Sequence, residues 1–236
     1  VLPSVAHLFD SRVGFLYLAA AALIAAVASS VLPNRMVGST ERVEGKMRLD
    51  AITILTVVSI FLHNCGAGAI WSYIERLGSE RGLSPQAIGT AIAASLITQL
   101  GGLLFGAWLG ERVKPAVLIT AGLLLQLVVA ILLIRLSAPI PFTLAIAAVG
   151  LLWTGLQPFQ FLALIHAEPT RRVAMLMTPI TLLGASIGPF IGSLFIVSAD
   201  VTPVFWAAFW MLAVGTALFL LRPLFKAPAF RAATNI

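Results

Sequence analysis

Charge is what this sequence has least of. Asp, Glu, Lys and Arg make up 10% of its 236 residues, against roughly a quarter in soluble domains. Hydrophobic residues make up 60%, and the mean hydropathy is +1.03. No water-soluble fold of this size hides so many apolar side chains, so lipid must be the solvent. Cysteine is almost missing too. Cys65 stands alone, which excludes an internal disulfide, and its apolar run reads as the setting of a buried, inert thiol. The three histidines, His7, His63 and His166, show no metal-ligand spacing, and no cofactor motif is present. Basic clusters with interleaved aromatics are lacking as well, so the net charge of +6 and the pI near 10.5 do not indicate nucleic acid. The few Lys and Arg lie between apolar runs, where they act as topology signals and lipid-headgroup contacts.

Long apolar runs are plentiful. A bilayer core needs about 20 such residues per helix, and the runs are Val13–Leu32, Ala51–Tyr73, Gln86–Leu109, Ala116–Ile134, Phe142–Ile165, Val173–Val197 and Pro203–Leu221. The expected fold is therefore an all-α membrane protein of about seven transmembrane helices. Ser84-Pro85 reads as a cap and first helical residue for the third run, Pro115 opens the fourth, and Asp200-Val201-Thr202-Pro203 opens the seventh. Loops are short, which predicts that consecutive helices are antiparallel neighbours.

Basic residues set an orientation. If the segment after the first run is cytoplasmic, eleven Lys and Arg fall on that side and four, namely Arg12, Arg76, Arg81 and Arg135, on the other. The positive-inside rule then puts the chain's start outside and its end in the cytoplasm, and the expected location is a cell (inner) membrane. The stretch Asn34–Asp50 holds seven charged residues in seventeen and reads as a linker between bundles. Residues 1–32 are read as the last helix of an N-terminal bundle, 33–50 as the linker, and 51–236 as a six-helix bundle with a basic tail. Val1–Asp10 has no basic stretch of a signal peptide, so the expectation is a segment of a longer chain.

One span, a charged linker and six further spans resemble the major facilitator superfamily from its sixth helix onward. Tyr73-Ile74-Glu75-Arg76-Leu77-Gly78 followed by Gly82-Leu83-Ser84-Pro85-Gln86-Ala87-Ile88-Gly89 is similar to that family's external turn between helices seven and eight. Gly106-Ala107-Trp108-Leu109-Gly110-Glu111-Arg112 resembles the C-half copy of its cytoplasmic loop motif, with Gly106, Glu111 and Arg112 as the motif positions. Glu111 replaces the usual Asp, and Lys114-Pro115 stand where Gly-Arg is usual. Gly184 to Gly192 resembles helix eleven. The resemblance implies two six-helix halves, a central cavity and alternating access. It also implies a partner, either an N-terminal half or a second subunit, besides the lipid bilayer and a small organic solute.

Polar residues inside the spans fall in helical phase. Thr56, Ser59, His63 and Gly66 align in the second span; Ser95, Gln99, Gly102 and Gly106 in the third; Gly150, Trp153, Gln157 and Gln160 in the fifth; Thr178, Thr181, Ala185, Gly188 and Gly192 in the sixth. In the family's layout these four spans line the cavity. Small residues spaced by four also allow close helix packing, so Gly102/Gly106/Gly110 and Gly184/Gly188/Gly192 are read first as packing seams. Pro158, Pro179 and Pro189 are expected to kink their helices. In the fourth span Gln126 is the one amide.

His63 is the only titratable side chain near the middle of a span, and its ordinary pKa near 6.5 suits proton coupling. A neutral His bonded to a neighbouring helix fits the position as well. Asn64 and Trp71 share an adjacent face, Trp71 as a cavity wall or an interface anchor. Trp153, Gln157 and Gln160 form the best binding set, two amides and an indole suited to an uncharged polar or aromatic solute. Gln99, Thr178 and Thr181 complete the candidate substrate-binding residues. Glu75 with Arg76, and Glu168 with Arg171 and Arg172, are expected to be solvated rim charges or gating ion pairs. The function so expected is secondary active transport of a small organic solute by alternating access, proton-coupled, and not an enzyme activity. A membrane-embedded enzyme and a seven-helix receptor-like protein are the alternatives. The first would need a catalytic set that the spans do not show; a retinal pigment would need a Lys in the last span, and Pro203–Leu221 has none.

Overall fold

The computed structural model describes residues 49–225 except 111, 169, 198 and 199, together with residues 20, 23 and 47. The chain divides between Arg42 and Val43 into two units, and the elements below belong to the second. The first expected span, most of the linker, Glu111 of the loop motif and the tail past residue 225 lie outside the described residues, apart from Ala20 and Leu23, which are helical.

Among the described residues of this unit seven α-helices follow one another: α1 (Ala51–Glu80), α2 (Pro85–Gly110), α3 (Pro115–Arg135), α4 (Pro139–Gly155), α5 (Gln157–Ala167), α6 (Met177–Ser193) and α7 (Thr202–Leu221). Short 3-10 helices, Ala174–Leu176 and Arg222–Phe225, precede α6 and follow α7. Among the described residues β structure is limited to one isolated bridge, Val197 to Asp200. Six of the described segments are long and apolar enough to cross a membrane, α4 and α5 together counting as one. This is the architecture of a multi-pass membrane protein. Its outer faces are hydrophobic accordingly, with Ile97, Leu100 and Leu104 of α2 and Leu125 and Val128 of α3 exposed.

Local chemistry places the ends. Asp50 accepts a hydrogen bond from the Thr53 N–H at 2.8 Å and caps α1. Ser84 Oγ accepts from the Ala87 N–H, and Pro85 is the first residue of α2. Asp200 accepts from the Thr202 N–H at 2.8 Å where α7 begins. Gly82 takes the left-handed φ of 74° that closes the turn after α1. Three prolines sit in first turns, and for Pro179 this replaces the expected kink. Pro139 and Pro141 lie in the first turn of α4, and Pro179 lies in the first turn of α6, where no hydrogen bond is lost. Among the described residues Pro189 alone sits inside a helix. At Pro158 the fifth span does break: α4 ends at Gly155, and α5 restarts at Gln157 around a non-continuing Leu156.

Short loops do not make consecutive helices the main neighbours. The closest pairings are α1 with α6, α1 with α7, α2 with α4, and α3 with α7 and α4. Glycine decides two of them. A Cβ on Gly188 of α6 would run into the Cys65 carbonyl of α1, and one on Gly68 would lie 2.7 Å from the Ala185 carbonyl oxygen. In α2, a Cβ on Gly102 would lie 2.5 Å from the Leu151 oxygen and one on Gly106 would lie 2.8 Å from the Gly155 oxygen. The two glycine triplets are thus packing seams. These main pairings map onto one another when α1, α2 and α3 are exchanged for α4–α5, α6 and α7, although α6 packs more closely on α7 than α2 does on α3. The seam of α2 against α4 then becomes the seam of α6 against α1.

Both ends of the bundle are tied. Arg81 Nη2 donates to the Ile134 carbonyl at 2.8 Å and to Thr202 Oγ1 at 3.3 Å, while Glu80 accepts from the Val201 N–H. At the other end Thr53 Oγ1 donates to the Ala167 carbonyl, and Arg222 Nη1 donates to Thr56 Oγ1 at 3.0 Å.

Candidate functional site

A polar cluster lies inside this apolar bundle, and α1 carries its centre. His63 is 1% exposed. Gln160 Nε2 donates to His63 Nδ1 at 2.9 Å, so the other ring nitrogen carries the proton, and Nε2–H donates to Gln126 Oε1 at 2.7 Å. The amide–imidazole–amide chain thereby selects one neutral tautomer. It joins α1, α3 and α5, and the break at Leu156 sets the start of the helix that carries Gln160. Each glutamine keeps one buried amide atom without a partner among the described residues, Gln126 Nε2 and Gln160 Oε1.

That arrangement has a definite capacity. A doubly protonated imidazole needs two acceptors, and Gln126 Oε1 is one already. A half-turn of the Gln160 amide would present its unused oxygen to Nδ1–H. A proton can therefore be accommodated by rotating one side chain, without any movement of backbone.

Beside this cluster lies an aromatic pair. Trp153 Nε1–H donates to Asn64 Oδ1 at 2.9 Å, and Asn64 Nδ2 donates to the Ile60 carbonyl at 2.8 Å. Asn64 is buried with both ends of its amide bonded, so it orients the indole. Trp71 meets Trp153 with ring centroids 6.4 Å apart at 53°. Both indoles are half-buried, and Gln157, one turn on, is half-buried with no hydrogen bond among the described residues. An indole pair and an uncommitted amide are therefore at the bundle surface, next to a buried imidazole.

Other expected site residues lie elsewhere. Gln99 is half-buried on α2 beside Gly150, and its carbonyl accepts from Thr154 Oγ1 at 2.7 Å. Thr178 is exposed on α6, and its carbonyl accepts from the Thr181 hydroxyl at 2.9 Å; neither threonine joins the cluster. Three of the four polar stripes place at least one member in a helix seam. Ser59 meets Gly215 of α7, Ser95 meets Gly150 of α4, and Gly188 meets Cys65 of α1. Gly106 belongs to the α2–α4 seam, and Arg112 stacks 4.1 Å over the Trp108 ring while donating to the Trp108 carbonyl.

The rim charges need correcting too. Glu168 is not solvated, and it has no ion pair among the described residues. It is buried in its own loop and accepts from the Thr170 hydroxyl and N–H and from the Arg172 and Val173 N–H groups. Burial by itself would push its carboxyl up, but these hydrogen bonds outweigh that and hold it below the ordinary carboxylate range. They also fix the loop in which Arg171 adopts a left-handed φ of 61°. At the opposite end Arg76 pairs with Glu80 at 3.4 Å.

Gln126 is the member that sequence reasoning left out of the site. Its signal was there, as the lone amide of a 21-residue apolar helix, but phase within one helix does not say which other helix it meets. No protein-family model matches this chain, and no curated protein matches it.

Proposed function

We propose that this chain is the C-terminal half of a major-facilitator-type secondary transporter, moving a small uncharged organic solute by alternating access with His63 as the proton-coupling group. The observation that carries the reading is the exchange-symmetric packing of two three-helix sets, a pattern typical of transporters built from inverted repeats. Further support comes from the chemistry placed near its centre. A buried His with a rotatable amide on either side suits reversible protonation. The Trp71–Trp153 pair and Gln157 suit a flat or polar uncharged solute. In this reading Trp153 and Gln157 contact the solute, Asn64 orients Trp153, and Gln126 and Gln160 set the protonation of His63. An N-terminal half, or a second subunit, supplies the facing wall of the cavity.

The test is proton movement driven by solute. The chain, alone and co-expressed with an N-terminal half, is reconstituted in vesicles loaded with a pH-sensitive dye and exposed to a panel of uncharged polar and aromatic solutes. One solute class should alkalinise or acidify the lumen. His63→Gln should abolish the pH signal while counterflow of the same labelled solute continues. Failure of every solute to move in both preparations would overturn the transport reading; coupling that survives His63→Gln would overturn the role of His63.

A further inference from the structure

A second polar site lies at the end of the bundle, away from His63. A cavity of about 510 Å³ opens between the start of α1, the start of α3, the end of α5 and the 3-10 helix after α7. Its walls carry Lys114, His166 and Arg222 among Ile52, Pro115 and Pro223. No described residue lining it is acidic. The two described carboxylates of this end are engaged elsewhere, Asp50 as the α1 cap and Glu168 in its own loop.

The three basic groups differ in freedom. Arg222 is fixed, donating from Nε to the Phe219 carbonyl and from Nη1 to Thr56, with its guanidinium 3.5 Å over the Phe219 ring. Lys114 is exposed and its ammonium has no partner among the described residues. His166 is exposed, its Nδ1–H donating to the Leu162 carbonyl at 2.9 Å, which leaves Nε2 for a ligand. A cavity bearing two permanent positive charges and an imidazole fits an anion with several acceptor oxygens. It lies at the ends of candidate membrane spans, and the apolar face of α3 continues from it through exposed Val117, Leu124 and Val128. A polar head in the cavity would thus have an alkyl track beside it.

We propose that this cavity binds a phosphate group, that of an anionic phospholipid whose acyl chains lie along α3. The proposal rests on the membrane architecture and stands whether or not the chain transports a solute. To test it, the full chain in neutral detergent is titrated with dioctanoyl phosphatidylglycerol, dioctanoyl phosphatidylcholine and inorganic phosphate, with the thermal midpoint as readout. Phosphatidylglycerol should raise the midpoint and phosphatidylcholine should raise it far less. Lys114→Gln should weaken the apparent phosphatidylglycerol affinity about fivefold and Lys114→Gln/His166→Gln further, whereas Arg172→Gln, on the same end but outside the cavity, should leave it unchanged. Inorganic phosphate that matches phosphatidylglycerol with the same Lys114 dependence would support the phosphate site and overturn the lipid as its source. Equal responses of wild type and Lys114→Gln to every probe would overturn the site itself.

Discussion

Both ring nitrogens of His63 are engaged, so its neighbours govern what protonation requires. Gln126→Leu removes the acceptor of Nε2–H and leaves that donor buried without a partner. It should cost about 1–3 kcal/mol, read as a lower thermal midpoint in detergent, while Gln157→Leu should cost under about 0.5 kcal/mol. Glu168 yields a pH prediction. Its folded carboxyl is held below the unfolded value, so its contribution is complete above the ordinary glutamate range and declines as pH falls through about 4.3 and below. Wild type should lose thermal stability across that acidic window more steeply than Glu168→Gln. The sequence exposed His63, Trp153 and Gln160, because a polar atom in an apolar run is conspicuous. It did not expose Gln126 as their companion or Asn64 as a support for Trp153. Those roles depend on which helices meet, and contact across a bundle leaves no period in any one stretch of sequence.

Run length and flanking chemistry were enough to place the six described spans, because the bilayer fixes how long an apolar helix must be. Ser84, Pro115 and Asp200 mark starts by ordinary capping rules, and the helices begin there. Neighbour choice was misjudged for a physical reason. Loop length limits where the next helix can start, but close packing in lipid goes to surfaces where backbones approach, and the glycine triplets set those surfaces. Gly188→Ala should therefore push α6 off the Cys65 carbonyl and destabilise by about 1–3 kcal/mol. Gly101, one residue from the α2 seam, faces open space, and a methyl group there would meet nothing within 4 Å. Gly101→Ala should be neutral. A matched pair of melting curves separates the two. A stronger loss in Gly101→Ala than in Gly188→Ala would refute the seam assignment.

Charge divides between the two ends of the whole bundle. Among the described residues one end carries Arg112, Lys114, Arg171, Arg172 and Arg222 against Asp50 and Glu168, and the other carries Arg76, Arg81 and Arg135 against Glu75, Glu80 and Asp200. Five minus two leaves three positive charges at the first end; three minus three leaves none at the second. The first end should face the cytoplasm. Cysteines placed at Lys114 or Arg172 should be labelled by an impermeant maleimide in inside-out vesicles, and one at Ser137 only in right-side-out vesicles. Cys65 is fully buried and contributes no background to such labelling. Its position has a further use. The thiol belongs to the residue whose carbonyl lies against Gly188, so a movement that parts α1 from α6 should change how often a reagent reaches the sulfur. The chain carries its own clock. Over times much longer than a labelling assay, the slow reaction of wild-type Cys65 should report opening of the helices around it, with no substitution and no attached probe, and a solute that holds them together should slow it.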